Sequence, residues 1–211
     1  MGSHIIWDWN GTLFHDIDAV AAATSEVLAG LGLPPITAED HRRAFTRPVW
    51  IFYERILGRP LADGEFERFD YDFHEAYGRH RTTSSLAPDA VDALKMWQHI
   101  GRTQSLLSMT RHTELVPLVT ELGITSHFIR VDGLRGAAGG HKAEHLVRHL
   151  EKVGVHGQDA ILIGDSVDDA TAAAHVGAGC VLYSQGHASR EVLQEAGVPV
   201  VDTLTDALAH T

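Results

Sequence analysis

The chain has 211 residues, 44 % of them apolar, with a formal net charge of -11. That length holds one sizeable domain, or a core domain with a smaller one inserted or appended, and the apolar share excludes a disordered chain. The negative balance argues against a nucleic-acid or anionic-membrane partner and makes any phosphate site depend on a local cation.

The first element is the apolar run Ile5 to Trp7, a short buried strand that ends in Asp8 and a turn containing Gly11. Such a strand holds Asp8 at the carboxyl edge of a sheet, where open α/β sheets bind ligands. Backbone amides at the Gly11 turn and the Thr12 hydroxyl can face an anion there, and a carboxylate beside anion donors points to phosphoryl transfer with Asp8 as nucleophile. The alternative role for Asp8 is to cap the turn.

From residue 16 to residue 86 the sequence turns to helix formers and aromatics, broken at Gly32-Leu33-Pro34-Pro35, Arg47-Pro48, Gly58-Arg59-Pro60 and Asp63-Gly64. Val20, Val27, Leu28 and Leu31 share one helix face, and Trp50, Tyr53, Glu54 and Leu57 share another. The spacing predicts a small helical unit without strands of its own. Arg43, Arg47 and Trp50 are its candidates for substrate contact, since an arginine can pair with a second anionic group on a substrate. Their plainer reading is solvated charge and core packing.

From Pro88 strands and helices alternate. A helix through Val91, Leu94, Lys95 and Trp97 precedes a strand from Thr103 to Ser108 and a helix through Leu115, Leu118, Val119 and Leu122. A strand from Phe128 to Val131 leads to a glycine-rich loop, Gly133 to Gly140, and a helix from about Lys142 to Lys152. Strands Ala160 to Ile163 and Gly179 to Tyr183 enclose a helix from Asp168 to Val176, and two short helices flank Val198 to Val201 at the end. This alternation predicts an α/β fold: a Rossmann-like, mostly parallel sheet with helices on both faces. Cys180, the one cysteine, sits in an apolar strand and reads as a buried packing residue. No run is long enough to span a membrane and no charged-then-apolar leader opens the chain, so a cytoplasmic protein is expected.

Three later stretches meet Asp8 at the same sheet edge. Ser108 ends an apolar strand, and its hydroxyl with the Met109 amide can hold a phosphate oxygen or cap the next helix. Lys142 is one of only three lysines and starts a helix, where positive charge opposes the dipole unless it faces an anion. In Gly164-Asp165-Ser166-Val167-Asp168-Asp169 three carboxylates follow a buried strand within five positions. Such clustering is costly without a cation, and hard oxygen donors suit magnesium. A capped helix start also favours acidic residues. His141, His145 and His149 fall at helical spacing and read as a polar face opposite Ala143, Leu146, Val147 and Leu150.

These residues together resemble the haloacid dehalogenase superfamily of hydrolases, in particular its phosphoglycolate-phosphatase-like members with a helical cap, over nearly the whole chain. The four motifs appear in order as Asp8-Trp9-Asn10-Gly11-Thr12, Ser108, Lys142, and Gly164-Asp165 with Asp169. The resemblance implies a core domain of residues 1–15 and 87–211 and an inserted cap of residues 16–86. It implies an aspartyl-phosphate on Asp8, Mg2+ held by Asp8, the Asn10 carbonyl, Asp165 and Asp169, and phosphoryl oxygens held by Gly11, Thr12, Ser108, Met109 and Lys142. The substrate implied is a small phosphorylated metabolite; monomer and homodimer stay equally open.

One position departs from the pattern. The residue two after the nucleophile is normally a second aspartate that protonates the leaving group, and here it is Asn10. Three readings stay open: another group, with His15 nearest in sequence, takes the role; the substrates carry good leaving groups; or the protein binds phosphate ligands with little turnover.

Overall fold

The computed structural model describes residues 4–136 and 141–211. Strand β1 (His4–Trp7) runs into a two-residue strand, β2 (Phe14–His15), then four helices, α1 (Ile17–Ala29), α2 (Ala38–Ala44), α3 (Val49–Leu57) and α4 (Glu65–His80), and the chain returns through β3 (Ser85–Leu86). Next come α5 (Ala90–His99), β4 (Thr103–Arg111), α6 (His112–Glu121), β5 (Val131–Leu134), α7 (Lys142–Val153) and β6 (Ala160–Gly164). The chain ends with α8 (Val167–Val176), β7 (Gly179–Tyr183), α9 (Arg190–Gln194), β8 (Val200–Val201) and α10 (Leu204–Ala207). None of the described helices is long and apolar enough to cross a membrane.

Six strands form one parallel sheet in the order β5-β4-β1-β6-β7-β8. The apolar runs of the sequence are continuous because both faces of this sheet are covered. Ile5, Trp7, Ile161, Ile163, Val181 and Tyr183 point to one side, against α5, α6 and α10. The residues between them, Ile6, Leu162, Cys180 and Leu182, point to the other, against α7, α8 and α9. Burying one such large apolar side chain contributes about 1.5–3 kcal/mol, so the central strands are the best-anchored part of the molecule. Strand order runs outward in both directions from β1, so its carboxyl end is the point where consecutive connections diverge and a crevice opens. Asp8 lies there, its amide donating to the Ile163 carbonyl at 2.8 Å.

The helices of residues 16–86 have their own apolar cluster, with Val27, Phe52, Tyr53 and Phe69 at its centre. They leave and rejoin the sheet through an antiparallel ribbon, Phe14 opposite Leu86 and His15 opposite Ser85. Two strands of two residues each carry no readable periodicity, so the sequence alone did not announce them.

Two elements differ from the expected ones. Strand β5 begins at Val131 and includes Gly133, because a Cβ there would lie 2.6 Å from the Thr110 carbonyl oxygen, so the glycine serves close packing inside the sheet. Residues 137–140 of the expected glycine-rich loop lie outside the described residues. His149 is buried beside Leu146 and Leu150 instead of facing out with His141 and His145. Its ring nitrogens meet Asp132 Oδ2 at 2.9 Å and Ser105 Oγ at 2.7 Å, and His4 Nε2 shares that serine oxygen at 2.7 Å.

Candidate active site

The crevice beyond β1 is a cavity of about 220 Å³ whose floor is the sheet edge and whose roof is the helical unit. Asp8 follows β1, Ser108 and Met109 lie in the second half of β4, Lys142 starts α7, and Asp165 and Asp169 bracket the start of α8. All six line the cavity, as does Asn10.

Asp8, Asp165 and Asp169 are buried, and one oxygen of each lies within 4.8 Å of the others. The Lys142 ammonium bridges Asp8 Oδ1 and Asp169 Oδ1. Burial would depress the lysine, but Asp169 and Asp8 outweigh it and raise its pKa. Burial pushes Asp8 up to about 7, with Lys142 opposing and the charges of Asp169 and Asp165 adding to the rise. For Asp169 burial acts upward too, yet Lys142 and the Ser166 hydroxyl prevail and hold it below the usual range. Ser166 is the N-cap of α8: its hydroxyl donates to Asp169 Oδ2 at 2.6 Å, and Asp169 completes a capping box. The acidic cluster is therefore a helix cap and a candidate metal centre at once.

Asn10 is fixed from three sides. Its Nδ2 donates to Asp16 Oδ2 at 2.6 Å and approaches the Tyr77 hydroxyl at 2.9 Å, and its Oδ1 accepts from Thr110 Oγ1 at 2.5 Å. Asp16 also accepts from Tyr77 at 2.5 Å, from the Gly11 amide at 3.0 Å and from His187 Nε2 at 3.0 Å. Burial would raise Asp16, but His187, Tyr77 and Asn10 outweigh it, so the carboxylate stays ionised. Burial would depress His187, and the charges of Asp16 and Asp165 raise it instead to about 10. Its amide donates to Asp165 Oδ2 at 2.7 Å, an approach that Gly186 permits: a Cβ there would sit 2.3 Å from the same oxygen.

The structure does not bring every anticipated residue to the cavity. Gly11 spends its amide on Asp16 and on the Phe14 carbonyl, 2.8 Å away, and Thr12 is fully buried with its hydroxyl unpartnered. Arg43 pairs with Glu39 on the outside of α2, and Trp50 is 41 % exposed against Phe66, so neither lines the cavity; Arg47 does. His15 also faces elsewhere, its Nε2 bonded to the Tyr183 hydroxyl at 2.9 Å, so it is not placed to take over a proton-transfer role. Asp16, Tyr77, Thr110 and His187 were missed because each stands outside any local pattern. Only the fold brings residues separated by up to 171 positions together.

The sequence pattern of the haloacid dehalogenase-like hydrolases matches residues 3–177. Phosphoglycolate phosphatase 1 of Pseudomonas aeruginosa is 27 % identical over 217 residues, covering 97 % of this chain and 78 % of that protein. Phosphoglycolate phosphatase of Agrobacterium fabrum is 24 % identical, covering 96 % of this chain and 91 % of its own. Among solved structures, a haloacid dehalogenase-like family hydrolase from Streptococcus pneumoniae superposes with a TM-score of 0.84 at 18 % identity over 99 % of this chain and 98 % of that one. A phosphoglycolate phosphatase, so predicted, from Haemophilus somnus gives 0.79 at 19 % identity, over 99 % and 97 % of the two chains. With the family pattern spanning most of its length and the fold shared over nearly all of it, the chain belongs to the haloacid dehalogenase-like hydrolases.

Proposed function

We propose that the protein is a magnesium-dependent phosphatase that hydrolyses a small phosphorylated metabolite through an aspartyl-phosphate on Asp8. The observation that carries this reading is the buried cluster of Asp8, Asp165 and Asp169 closed by Lys142 at the cavity floor. Three hard carboxylate oxygens in one small space match what magnesium binds, so the donor set fits. Asp8, Asp165, Asp169 and the Asn10 carbonyl would hold the ion, which when bound offsets negative charge on the transferring phosphoryl group. The relatives named phosphoglycolate phosphatase support phosphoester hydrolysis over a purely ligand-binding role.

The chain's own groups then divide the work. An Asp8 carboxylate oxygen forms a bond to phosphorus while the ester P–O bond breaks and the leaving oxygen departs with the electron pair. Lys142 turns its ammonium from the carboxylates to the phosphoryl oxygens, with the Ser108 hydroxyl and Met109 amide beside it. Water then cleaves the acyl-phosphate and restores the Asp8 carboxylate. The Asn10 amide is held by Asp16, Tyr77 and Thr110 and has no carboxyl proton to give, so it orients the site without serving as the acid. Residues 16–86 act as the cap that covers the substrate.

Phosphate release from a panel of monoesters, with and without magnesium, tests the reading. Release should require the metal and vanish in Asp8→Asn. Undiminished release from Asp8→Asn would overturn the aspartyl-phosphate route.

A further inference from the structure

The helical unit meets the core beside the cavity through the end of α2. Arg42, in the last turn of that helix, donates from Nε to the Gly186 carbonyl at 2.8 Å and from Nη2 to the Gln185 carbonyl at 3.4 Å. In return its own carbonyl accepts from the Ser189 amide at 3.1 Å. The last carbonyls of a helix and the first amides of another lack partners within their own helices, so the C-terminal turn of α2 and the N-cap of α9 complete each other here. An arginine fork matches a carboxylate best, yet Glu39 stands off at 3.9 Å from Nη1 and the two closer contacts are main-chain carbonyls.

The segment that Arg42 holds, residues 184–189, connects β7 to α9 and is buried except for Gln185. Connections of this kind normally run over the surface. This one lies between α2 and the acidic cluster, and its centre is a single peptide unit. The Gly186 carbonyl accepts from Arg42, and the His187 N–H, at the other end of the same planar group, donates to Asp165 Oδ2 at 2.7 Å. Because the unit is rigid, turning its carbonyl turns its N–H as well. A donor at one end and an acceptor at the other polarise it in the same sense, so each bond strengthens the other. His187 Nδ1 lies 3.2 Å from that Asp165 oxygen, whereas Asp165 Oδ1 takes no hydrogen bond from any described residue and is left for a cation. The peptide also packs directly on the floor: a Cβ on Gly186 would lie 2.5 Å from the Gly11 carbonyl oxygen.

We infer that Arg42 is a positioning residue for the metal centre: through the Gly186–His187 peptide it fixes the Asp165 carboxylate, so that docking of α2 on residues 184–189 and binding of magnesium strengthen each other. This rests on the phosphatase reading above for what Asp165 holds, and on the hydrogen-bonded path alone for the coupling. Such coupling is reciprocal, so the factor by which docking favours the metal equals the factor by which the metal favours docking. Charge alone predicts the reverse for Arg42. A guanidinium near the cluster repels a cation, so its removal would tighten magnesium binding. The two effects have opposite signs, and one variant tells them apart.

Magnesium is titrated calorimetrically into the parent chain, Arg42→Met, Arg42→Gln and Arg43→Met. Arg42→Met keeps the apolar stem and loses the donors, and its Kd for magnesium should rise about 5-fold or more. Arg42→Gln carries an amide nitrogen at the bonded position of Nε, keeps the bond to Gly186 without the charge, and should stay within about 2-fold of the parent. Arg43→Met removes an equal charge from the outer side of α2, leaves the path intact, and should also stay within about 2-fold. The second readout needs no substitution. Hydrogen exchange at the Ser189 amide, whose partner is the Arg42 carbonyl, should slow in the parent when magnesium is added, by a factor comparable to the change in affinity. Magnesium binding by Arg42→Met as tight as the parent's or tighter, or a Ser189 amide indifferent to the metal, overturns the coupling and leaves the phosphatase reading standing. A loss in Arg42→Gln or Arg43→Met as large as in Arg42→Met overturns the path through Gly186. No magnesium binding by the parent overturns the magnesium reading and the coupling together.

Discussion

The floor and the roof of the cavity are built on opposite principles. On the floor nearly every buried polar atom is paired: Lys142 with two aspartates, Asp169 with Ser166, and Asp16 with four donors. The roof mixes aromatic and aliphatic side chains with a few polar ones, and in His41 it holds two buried nitrogens without a hydrogen-bond partner among the described residues. Paired groups hold a fixed geometry, which phosphoryl transfer needs; an unpaired group is costly until something meets it, which is what discrimination needs. On the proposed reading, the sheet edge would hold the chemistry and the helices above it would take part in the choice of substrate.

The strongest way to break the floor is Lys142→Met. It leaves Asp8 and Asp169 buried together without their cation, and urea unfolding of the metal-free protein should show a loss of about 3–5 kcal/mol. Magnesium should recover part of that loss, because it binds the folded state alone. A variant as stable as the parent would mean that the bridge carries no weight.

Next in size is Asn10→Asp, which places a second carboxyl 2.6 Å from Asp16. Two carboxyls that close share a proton, so the new side chain stays protonated to higher pH and can act as the missing acid. Turnover of an alkyl phosphate should rise about 100-fold, within the range of general acid catalysis, and that of an aryl phosphate far less. Equal gains on both would contradict the assignment of Asn10.

Tyr77→Phe probes the join between the two regions, since this roof residue reaches down to Asp16 and Asn10. One neutral hydrogen-bonding group is lost while Asp16 keeps its other donors. A fall of about 1 kcal/mol from the denaturant midpoint, at an unchanged slope, is expected.

The last effect appears only in acid. Burial lowers His41 from 6.5 to about 3, and burial together with His149 lowers His4 from 6.5 to about 4. Below about pH 6.5 the unfolded chain takes up protons at these positions that the folded chain refuses, so stability falls as pH drops from about 6.5 towards 4. His41→Phe should flatten that slope and leave stability near pH 8 without any pH-dependent change. A slope as steep as the parent's would show that His41 is already protonated when folded.

These two regions also differ in how far the sequence discloses them. Ile161 to Gly164 announces its strand because both faces are buried, and the carboxylates after it mark the ligand edge. Lys142 stands out because a cation at a helix start needs a reason. The pairing of Asn10 with Tyr77, 67 positions away, left no such trace, nor did the placing of His187 between Asp16 and Asp165. Arg43, Trp50 and His15 had the right chemistry for the cavity, but rotation about a helix or strand axis turned them elsewhere. His41 offered only a histidine among charged residues, and its isolation becomes visible once Phe45 and Phe52 close around it.

The ribbon of β2 and β3 has a consequence for the history of such a molecule. Because Phe14–His15 and Ser85–Leu86 are tied side by side, the sheet meets the whole helical unit as a loop with pinned ends. Doubling the length of a loop adds only about 0.6 kcal/mol to the cost of closing it. A unit mounted this way can be lengthened or trimmed away from its contacts with the sheet edge at little loop-closure cost to the sheet that carries it.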